Sequence, residues 1–257
     1  IHLAAEHKDY GLSAEDYYSV NVQGIENLLK VAEKKNVHRI ITFSSSAIYG
    51  EGKNLDEKTI PAPKSHYGKS KLLAEKLVEK WVSENNSKVI ILRPAAVYGP
   101  GNKANIFKFI NLICKNKFIM VGRGKNIKSF VFIDNLIDAT IFSIHNFSDR
   151  ILKFNVVDNP PMSISEFTDC VRKISDTSSW HSKLFIPLII ANPLVFTIGL
   201  FFKIFKKNPI VTNERIKKFV SNTYIDGSLI RSRGFVQKTS TEDGLLKTIS
   251  WINSIEN

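Results

Sequence analysis

The sequence predicts an α/β fold: a doubly wound parallel sheet with helices on both faces, followed by a smaller C-terminal region. Three observations carry this. Strand-like and helix-like segments alternate throughout residues 1–100, as they do when crossover helices join parallel strands. "KVIILRP" (88–94) is apolar almost without interruption, as expected of a strand buried on both faces. Residues 13–35 set Val22, Ile25, Leu28, Leu29 and Ala32 at helical spacing, giving a helix with one face to lay on a sheet.

In chain order, residues 1–5 read as the end of a buried strand, and the 13–35 helix follows. "VHRIITFSSS" is β-rich and ends in three small hydroxyl residues. A loop with Pro61 and Pro63 leads into a helix expected to run from about Tyr67 to Glu84, and "KVIILRP" is the next strand. Beyond Gly101 the pattern loosens. It suggests a helix near 104–116, short strands near 118–121 and 128–133, and a helix near 134–145. Ser163 with Glu166 has the spacing of a capping box. Ser240 and Asp243 mark a similar start for a last helix ending near Trp251.

Composition narrows the classes. With 257 residues, 43% hydrophobic and 23% charged, the chain has the balance of one large globular domain or two unequal ones. Its two cysteines, Cys114 and Cys170, form no disulfide framework, which suits a reducing cytoplasm. The six histidines include no metal-like pair, so no metal is expected. A formal charge of +12 implies an anionic partner, either phosphate-bearing substrates or an anionic membrane surface. Nucleic acid ranks last, because no finger, helix-turn-helix or stacking motif is present.

Within this frame "HYGKSKLLAE" (66–75) places Tyr67 and Lys71 one helical turn apart on the same face. A free phenol, with a pKa of about 10, is a poor base at neutral pH; a lysine ammonium beside it favours the phenolate. Taken alone, the pair is as compatible with an ordinary solvated helix. Taken alone, Ser45 likewise reads as a strand-end serine capping its own backbone.

The neighbouring motifs change that reading. "HLAA" (2–5), "NVQG" (21–24), "SSSAIYG" (44–50), "YGKSK" (67–71), "RPAAVYGPGN" (93–102) and "KSFVFIDNLIDA" (128–139) occur in that order, with "GF" (234–235) before the last helix. In this series the chain resembles the extended short-chain dehydrogenase/reductase family, the NAD-dependent sugar epimerases and dehydratases. The resemblance implies a Rossmann-like dinucleotide-binding domain over 1–100 and a mainly substrate-binding region over 101–257, interleaved near 128–145. It implies NAD as cofactor and Ser45, Tyr67 and Lys71 as the catalytic set: hydroxyl donor, general base, and the lysine that holds the nicotinamide ribose and lowers the Tyr67 pKa. Leu3, Ala4, Ala5, Asn21, Ser44 and Pro94 join Tyr67 and Lys71 as expected cofactor contacts, with Asn21 steadying the strand that carries Ser45. Ser46, Ala96, Asn102 and Lys128 are the expected substrate contacts.

Two departures from the family pattern bear on function. The glycine-rich GxxGxxG loop does not occur in the chain; at ~30 residues per βαβ unit it is expected roughly 65 residues upstream of Ile1. The sequence therefore reads as truncated, with poor NAD binding expected of the chain as it stands. Family dehydratases carry an Asp-Glu pair after the catalytic hydroxyl, where this chain has Ser46 and Ala47, so dehydration is set aside.

"DYYSVNVQG", "GNKANIFKFINLI", "KFIMVGRGKNIKS" and "NERIKKFVSNTYID" are similar to the branch that epimerises N-acetylglucosamine at C4 on a polyprenyl diphosphate. Ala96 stands for an Asn of soluble UDP-galactose epimerases and Lys128 for a phosphate-gripping Arg; both suit a diphosphate-linked sugar without a nucleoside. The function expected is C4 epimerisation of a diphosphate-linked N-acetylhexosamine for surface polysaccharide synthesis. The alternatives are a soluble UDP-sugar epimerase, a 4-keto-sugar reductase, or a non-catalytic NAD-binding regulator. A homodimer is compatible with the resemblance.

"LFIPLIIANPLVFTIGLFF" (184–202) is long enough to span a bilayer, but Pro187 and Pro193 interrupt it. Core helices and a true span compete with the preferred reading, a broken amphipathic element in the membrane interface. Basic residues up to 218 (Lys203, Lys206, Lys207, Arg215, Lys217, Lys218) would then face anionic head groups. The expected location is the cytoplasm, at the inner face of the cell membrane.

Overall fold

The computed structural model of the chain describes residues 1–7, 12–146, 148–177, 185–191, 193 and 213–256. These form two compact units. The first comprises Ile1–Val97, Ser129–Asn159 and Tyr224–Thr241; the second comprises Tyr98–Lys128, Pro160–Thr223 and Glu242–Asn257.

The first unit is built on three parallel strands in the order β1 (Arg39–Phe43), β2 (Lys88–Pro94), β3 (Ile151–Val156). Strand alternation sends successive side chains to opposite faces. Ile41, Ile90 and Leu92 point to one face, where they meet Leu136 and Ala139 of the helix Ile133–Ile144, together with Ile230 and Phe235. Ile40, Val89 and Ile91 point to the other, against Ile25, Leu29 and Ala32 of α2 (Gly24–Lys34) and Ala74, Val78, Trp81 and Val82 of α3 (His66–Glu84). Both faces are therefore covered, and the fold is the doubly wound parallel sheet expected. Val89 to Leu92 are wholly buried, each burial stabilising by about 1.5–3 kcal/mol.

Three local expectations are corrected. Residues 1–5 are not a buried strand: His2 makes a single parallel bridge to Thr42, while Ile1 and Leu3 are 66% exposed. The segment lies at the open edge of β1, and among the described residues only its His2 joins the ladder. The helix expected over 13–35 is α1 (Ala14–Tyr18), a π-helical turn (Ser19–Gln23) and α2. The turn carries one buried residue, Asn21, whose inward hydrogen bonds offset the break in helical phase. The last helix runs Thr241–Glu256, past Trp251. Its final turn is held because Glu256 accepts from Asn111 Nδ2 at 2.7 Å and Lys115 Nζ at 2.8 Å.

In the second unit the helices Asn105–Cys114 and Ile164–Ser175 pack through Phe109 stacked on Phe167, ring centroids 5.8 Å apart. Ser163 caps the latter helix in the capping box expected, Glu166 Oε2 accepting from the Ser163 N–H at 2.7 Å. Most of the apolar stretch 184–202 lies outside the described residues. Of its start, Phe185–Ile186 pairs with Met120–Val121 and Ala191 packs against Ile216, whereas Ile189 is 83% exposed. Among the described residues no helix is long and apolar enough to cross a membrane.

Candidate active site

Ser45 follows β1 at the carboxyl end of the sheet, where open α/β sheets bind ligands. It is extended (φ −161°) and caps the short 3₁₀ turn Ser46–Ile48, its Oγ accepting from the Ala47 N–H at 3.2 Å. That bond uses an acceptor lone pair and leaves the hydroxyl proton to be aimed elsewhere. Ser44 beside it is buried, and its Oγ has no hydrogen-bond partner.

Tyr67 and Lys71 sit in the first two turns of α3, which Ser65 caps by accepting from the Gly68 N–H at 3.0 Å. Gly68 draws this turn onto the Ser45 turn: a Cβ there would lie 2.6 Å from the Ala47 carbonyl oxygen. Only a residue without a side chain lets the two backbones approach so closely. The Tyr67 ring is half-buried, 6.2 Å from that of Tyr17 and tilted 54° to it.

Asn21 ties this helix to the N-terminal segment. Its Nδ2 donates to the Glu6 carbonyl and to Ser70 Oγ, both at 3.0 Å, and its Oδ1 accepts from the Glu6 N–H at 2.8 Å. Ser70 in turn donates to the Tyr67 carbonyl at 2.8 Å. The expected partner of Asn21 was the strand carrying Ser45; its bonds instead run to Glu6 and α3.

Lys71 is 4% exposed, and burial pulls its pKa down to about 8 against the opposing pull of the Glu75 carboxylate. Among the described residues no hydrogen bond ends on its Nζ. Its charge reaches His2, whose pKa is lowered by burial first and by Lys71 second. A buried ammonium without a hydrogen bond and a buried hydroxyl without one, Ser44 Oγ, are the donor set that a ribose with its hydroxyls would satisfy. The residues present therefore fit a nicotinamide dinucleotide, with Lys71 and Ser44 able to hold it.

Of the other expected cofactor contacts, Leu3 and Ala4 are exposed, Ala5 is half-buried, and Pro94 is buried at the end of β2. Of the substrate contacts, Ser46 is half-buried in the 3₁₀ turn and Ala96 is exposed. Asn102 and Lys128 belong to the second unit. Asn102 Oδ1 accepts from the Ala104 N–H at 2.9 Å, and Lys128 Nζ donates to the Lys218 carbonyl at 2.6 Å.

Sequence reasoning missed a buried polar cluster behind Lys71. Arg93 donates to both carboxylate oxygens of Glu75, Nε to Oε1 at 2.9 Å and Nη2 to Oε2 at 2.6 Å. Its Nη1 donates to Tyr49 Oη at 2.7 Å, and Tyr49 donates to Asn155 Oδ1 at 2.8 Å. Burial pushes the Tyr49 phenol up to about 12, partly opposed by Arg93, so Tyr49 stays a neutral donor. Two signals were available: an Arg inside the apolar run of β2, and a Glu on the apolar face of α3 beside Ala74 and Val78.

The family model of the NAD dependent epimerase/dehydratase family matches residues 1–156. The chain belongs to that family. NAD is therefore its cofactor. It is 33% identical over 252 residues to the N-acetyl-alpha-D-glucosaminyl-diphospho-ditrans,octacis-undecaprenol 4-epimerase of Escherichia coli O157:H7, covering 97% of this chain and 76% of that protein. It is 32% identical to the UDP-glucose 4-epimerase of Vibrio cholerae over 76% of this chain and 58% of that one. In fold it resembles the UDP-glucuronic acid 4-epimerase from Bacillus cereus in complex with NAD, with a TM-score of 0.77 at 22% identity, covering 100% of this chain and 74% of that one.

Proposed function

We propose that this family member is a catalytic C4 epimerase acting on an N-acetylhexosamine carried by a diphosphate, with a polyprenyl diphosphate as the favoured carrier. The observation that supports the catalytic reading is the close approach of the first turn of α3, which carries Tyr67 and Gly68, to the turn that Ser45 caps, at the Gly68–Ala47 contact. Tyr67 takes the proton of the sugar's O4 hydroxyl as general base. Lys71 favours the phenolate that does so, and the Ser45 hydroxyl donates a hydrogen bond to the reacting oxygen while keeping its proton. Bound NAD supplies a hydride acceptor that returns the hydride, so no external oxidant is consumed. Leu3, Ala4, Ala5, Asn21, Ser44 and Pro94 are proposed to complete the cofactor site with Tyr67 and Lys71. Ser46, Ala96, Asn102 and Lys128 are proposed to meet the sugar diphosphate.

The lipid carrier is favoured by the likeness to the Escherichia coli protein over nearly the whole chain. The exposed Leu188, Ile189 and Ile190 beside the basic helix Asn213–Val220 are also what an anionic membrane surface would engage. The test uses the protein expressed from its whole reading frame, offered polyprenyl-diphosphate-linked N-acetylglucosamine or UDP-N-acetylglucosamine without added reductant. Turnover of the first above the second is expected. Turnover of the UDP-sugar alone would overturn the carrier, net NAD(P)H consumption would mark a reductase, and tight NAD binding without turnover of either would mark a regulator.

A further inference from the structure

The buried cluster behind Lys71 is more polar than the fold needs. Glu75 and Arg93 are each about 2% exposed, and apolar residues of the same size would serve such a site as well or better. The pair stands where its charge matters. Glu75 lies one turn after Lys71 on α3, so its carboxylate is the anion that Lys71 meets from its own helix. Arg93 reaches that carboxylate from β2 and takes both oxygens in a planar fork, a geometry lysine cannot reproduce. Arg93 is itself fixed by Tyr49, and Tyr49 by Asn155, whose Nδ2 donates to the Leu55 and Asp226 carbonyls at 3.2 and 2.9 Å. The remaining titratable groups near Lys71 are Tyr67, one turn before it, and His2 from the N-terminal segment, which feels the Lys71 charge.

We propose that Glu75 and Arg93 are positioning residues for Lys71: the guanidinium fork holds the Glu75 carboxylate to the strand side and thereby sets how much negative charge the lysine meets. With the fork closed, Glu75 is largely neutralised by Arg93, and Lys71 keeps its donors for a cofactor rather than for an internal ion pair. With the fork opened, Glu75 turns to Lys71, holds it protonated and occupies those donors. The same cluster thus couples the strand end near Asn155 to the lysine beside the catalytic tyrosine. The relay rests on the reading of Lys71 as the lysine that holds NAD.

The test reads Lys71 itself. In the protein expressed from its whole reading frame and labelled with ¹⁵N-lysine, the Nζ resonance of Lys71, assigned by its loss in Lys71→Met, is followed against pH. Glu75→Gln removes the anion and leaves Arg93 positive, so the Lys71 midpoint falls by about one unit, a tenfold change in its protonation ratio. Arg93→Gln releases the carboxylate, so the midpoint rises by a similar amount. The double variant carries neither charge and returns toward wild type. A structural disturbance alone would move both single variants the same way; that result, or no movement in either, overturns the relay. Should Arg93→Gln not fold, Arg93→Lys keeps the charge but opens the fork, and a smaller rise is expected; no rise overturns the relay equally. If the midpoints move as stated while Lys71→Met keeps wild-type NAD affinity, the relay stands and the functional reading falls. If Lys71→Met loses NAD while the midpoints stay fixed, the reading stands and the relay falls.

Discussion

In the first two turns of α3, Tyr67 lies half-buried against Tyr17 and Lys71 holds a desolvated charge without a hydrogen bond. In its last turns, Val78, Trp81 and Val82 sink into one face of the sheet with Val89 and Ile91. One helix thus carries the proposed catalytic pair at its start and a core element at its end. The start is expected to carry groups that lower stability and raise activity, and the end the reverse. Substitutions along α3 should therefore separate the two properties, and each of the following can break that separation.

The largest effect is expected at Tyr67. Tyr67→Phe keeps the ring against Tyr17 and removes the only phenol on the first turns of α3. Turnover should fall by about 10² to 10⁴, or roughly 3–5 kcal/mol of barrier, with the thermal midpoint and NAD affinity little changed. Near-normal turnover would remove Tyr67 from the chemistry. A comparable effect of the opposite kind is expected at Trp81. Trp81→Ala should destabilise by about 3–5 kcal/mol in urea titrations, while turnover per folded molecule stays near wild type. If turnover fell as steeply as stability, the two ends of α3 would not be separable.

How much of this was legible in the sequence follows from the same contrast. The core half was readable because burial leaves periodicity: "KVIILRP" and the apolar positions of α2 and α3 dictate which faces meet. Tyr67 and Lys71 at helical spacing, with Ser45 at a strand end, are proposed from motifs alone; what the structure adds is that their two turns approach at Gly68 and Ala47. The N-terminal segment was misread because apolar composition reports burial only when a neighbouring strand supplies it, and Leu3 has none among the described residues. The π-helical turn at Asn21 was hidden, since hydrogen bonds to Glu6 and Ser70, distant in sequence, decide it. The Glu75–Arg93 pair was hidden for a related reason. Arg93 inside an apolar run and Glu75 on an apolar helix face each hint at burial, but only the packing of α3 on β2 shows that they pair.

A smaller and less intuitive effect is expected at Lys71. Its folded pKa of about 8 lies below that of an unfolded lysine, about 10.4, so folding disfavours the protonated form. The resulting penalty is full below about pH 8 and fades as pH rises toward about 10.4. Lys71→Met should therefore stabilise the protein by about 1–3 kcal/mol at pH 7 while weakening NAD binding and moving the onset of activity to higher pH. The stability difference from wild type should shrink when the same urea titrations are run at pH 10. A destabilised variant at pH 7 would mean that the ammonium is satisfied in the folded protein, and the first turns of α3 would lose their distinct character.

The smallest expected effect lies at the boundary where the two characters begin. Ser65 is extended and its Oγ accepts from the Gly68 N–H at 3.0 Å, so it satisfies one of the unpaired donors of the first turn. Replacing it by Ala should destabilise by about 1 kcal/mol, the usual effect of losing a serine cap. Because the capped turn carries both Tyr67 and Gly68, fraying there also loosens its contact with Ala47 in the turn that Ser45 caps. A several-fold loss of turnover is expected beside the small loss of stability, with the pH profile unmoved, because Lys71 lies one turn further in. Ser65→Asp should restore both, since aspartate caps as well as serine and its charge suits a helix N-terminus. If Ser65→Ala loses stability but no turnover, the first turn is held by the Gly68–Ala47 packing alone, and the cap belongs with the core half of the helix.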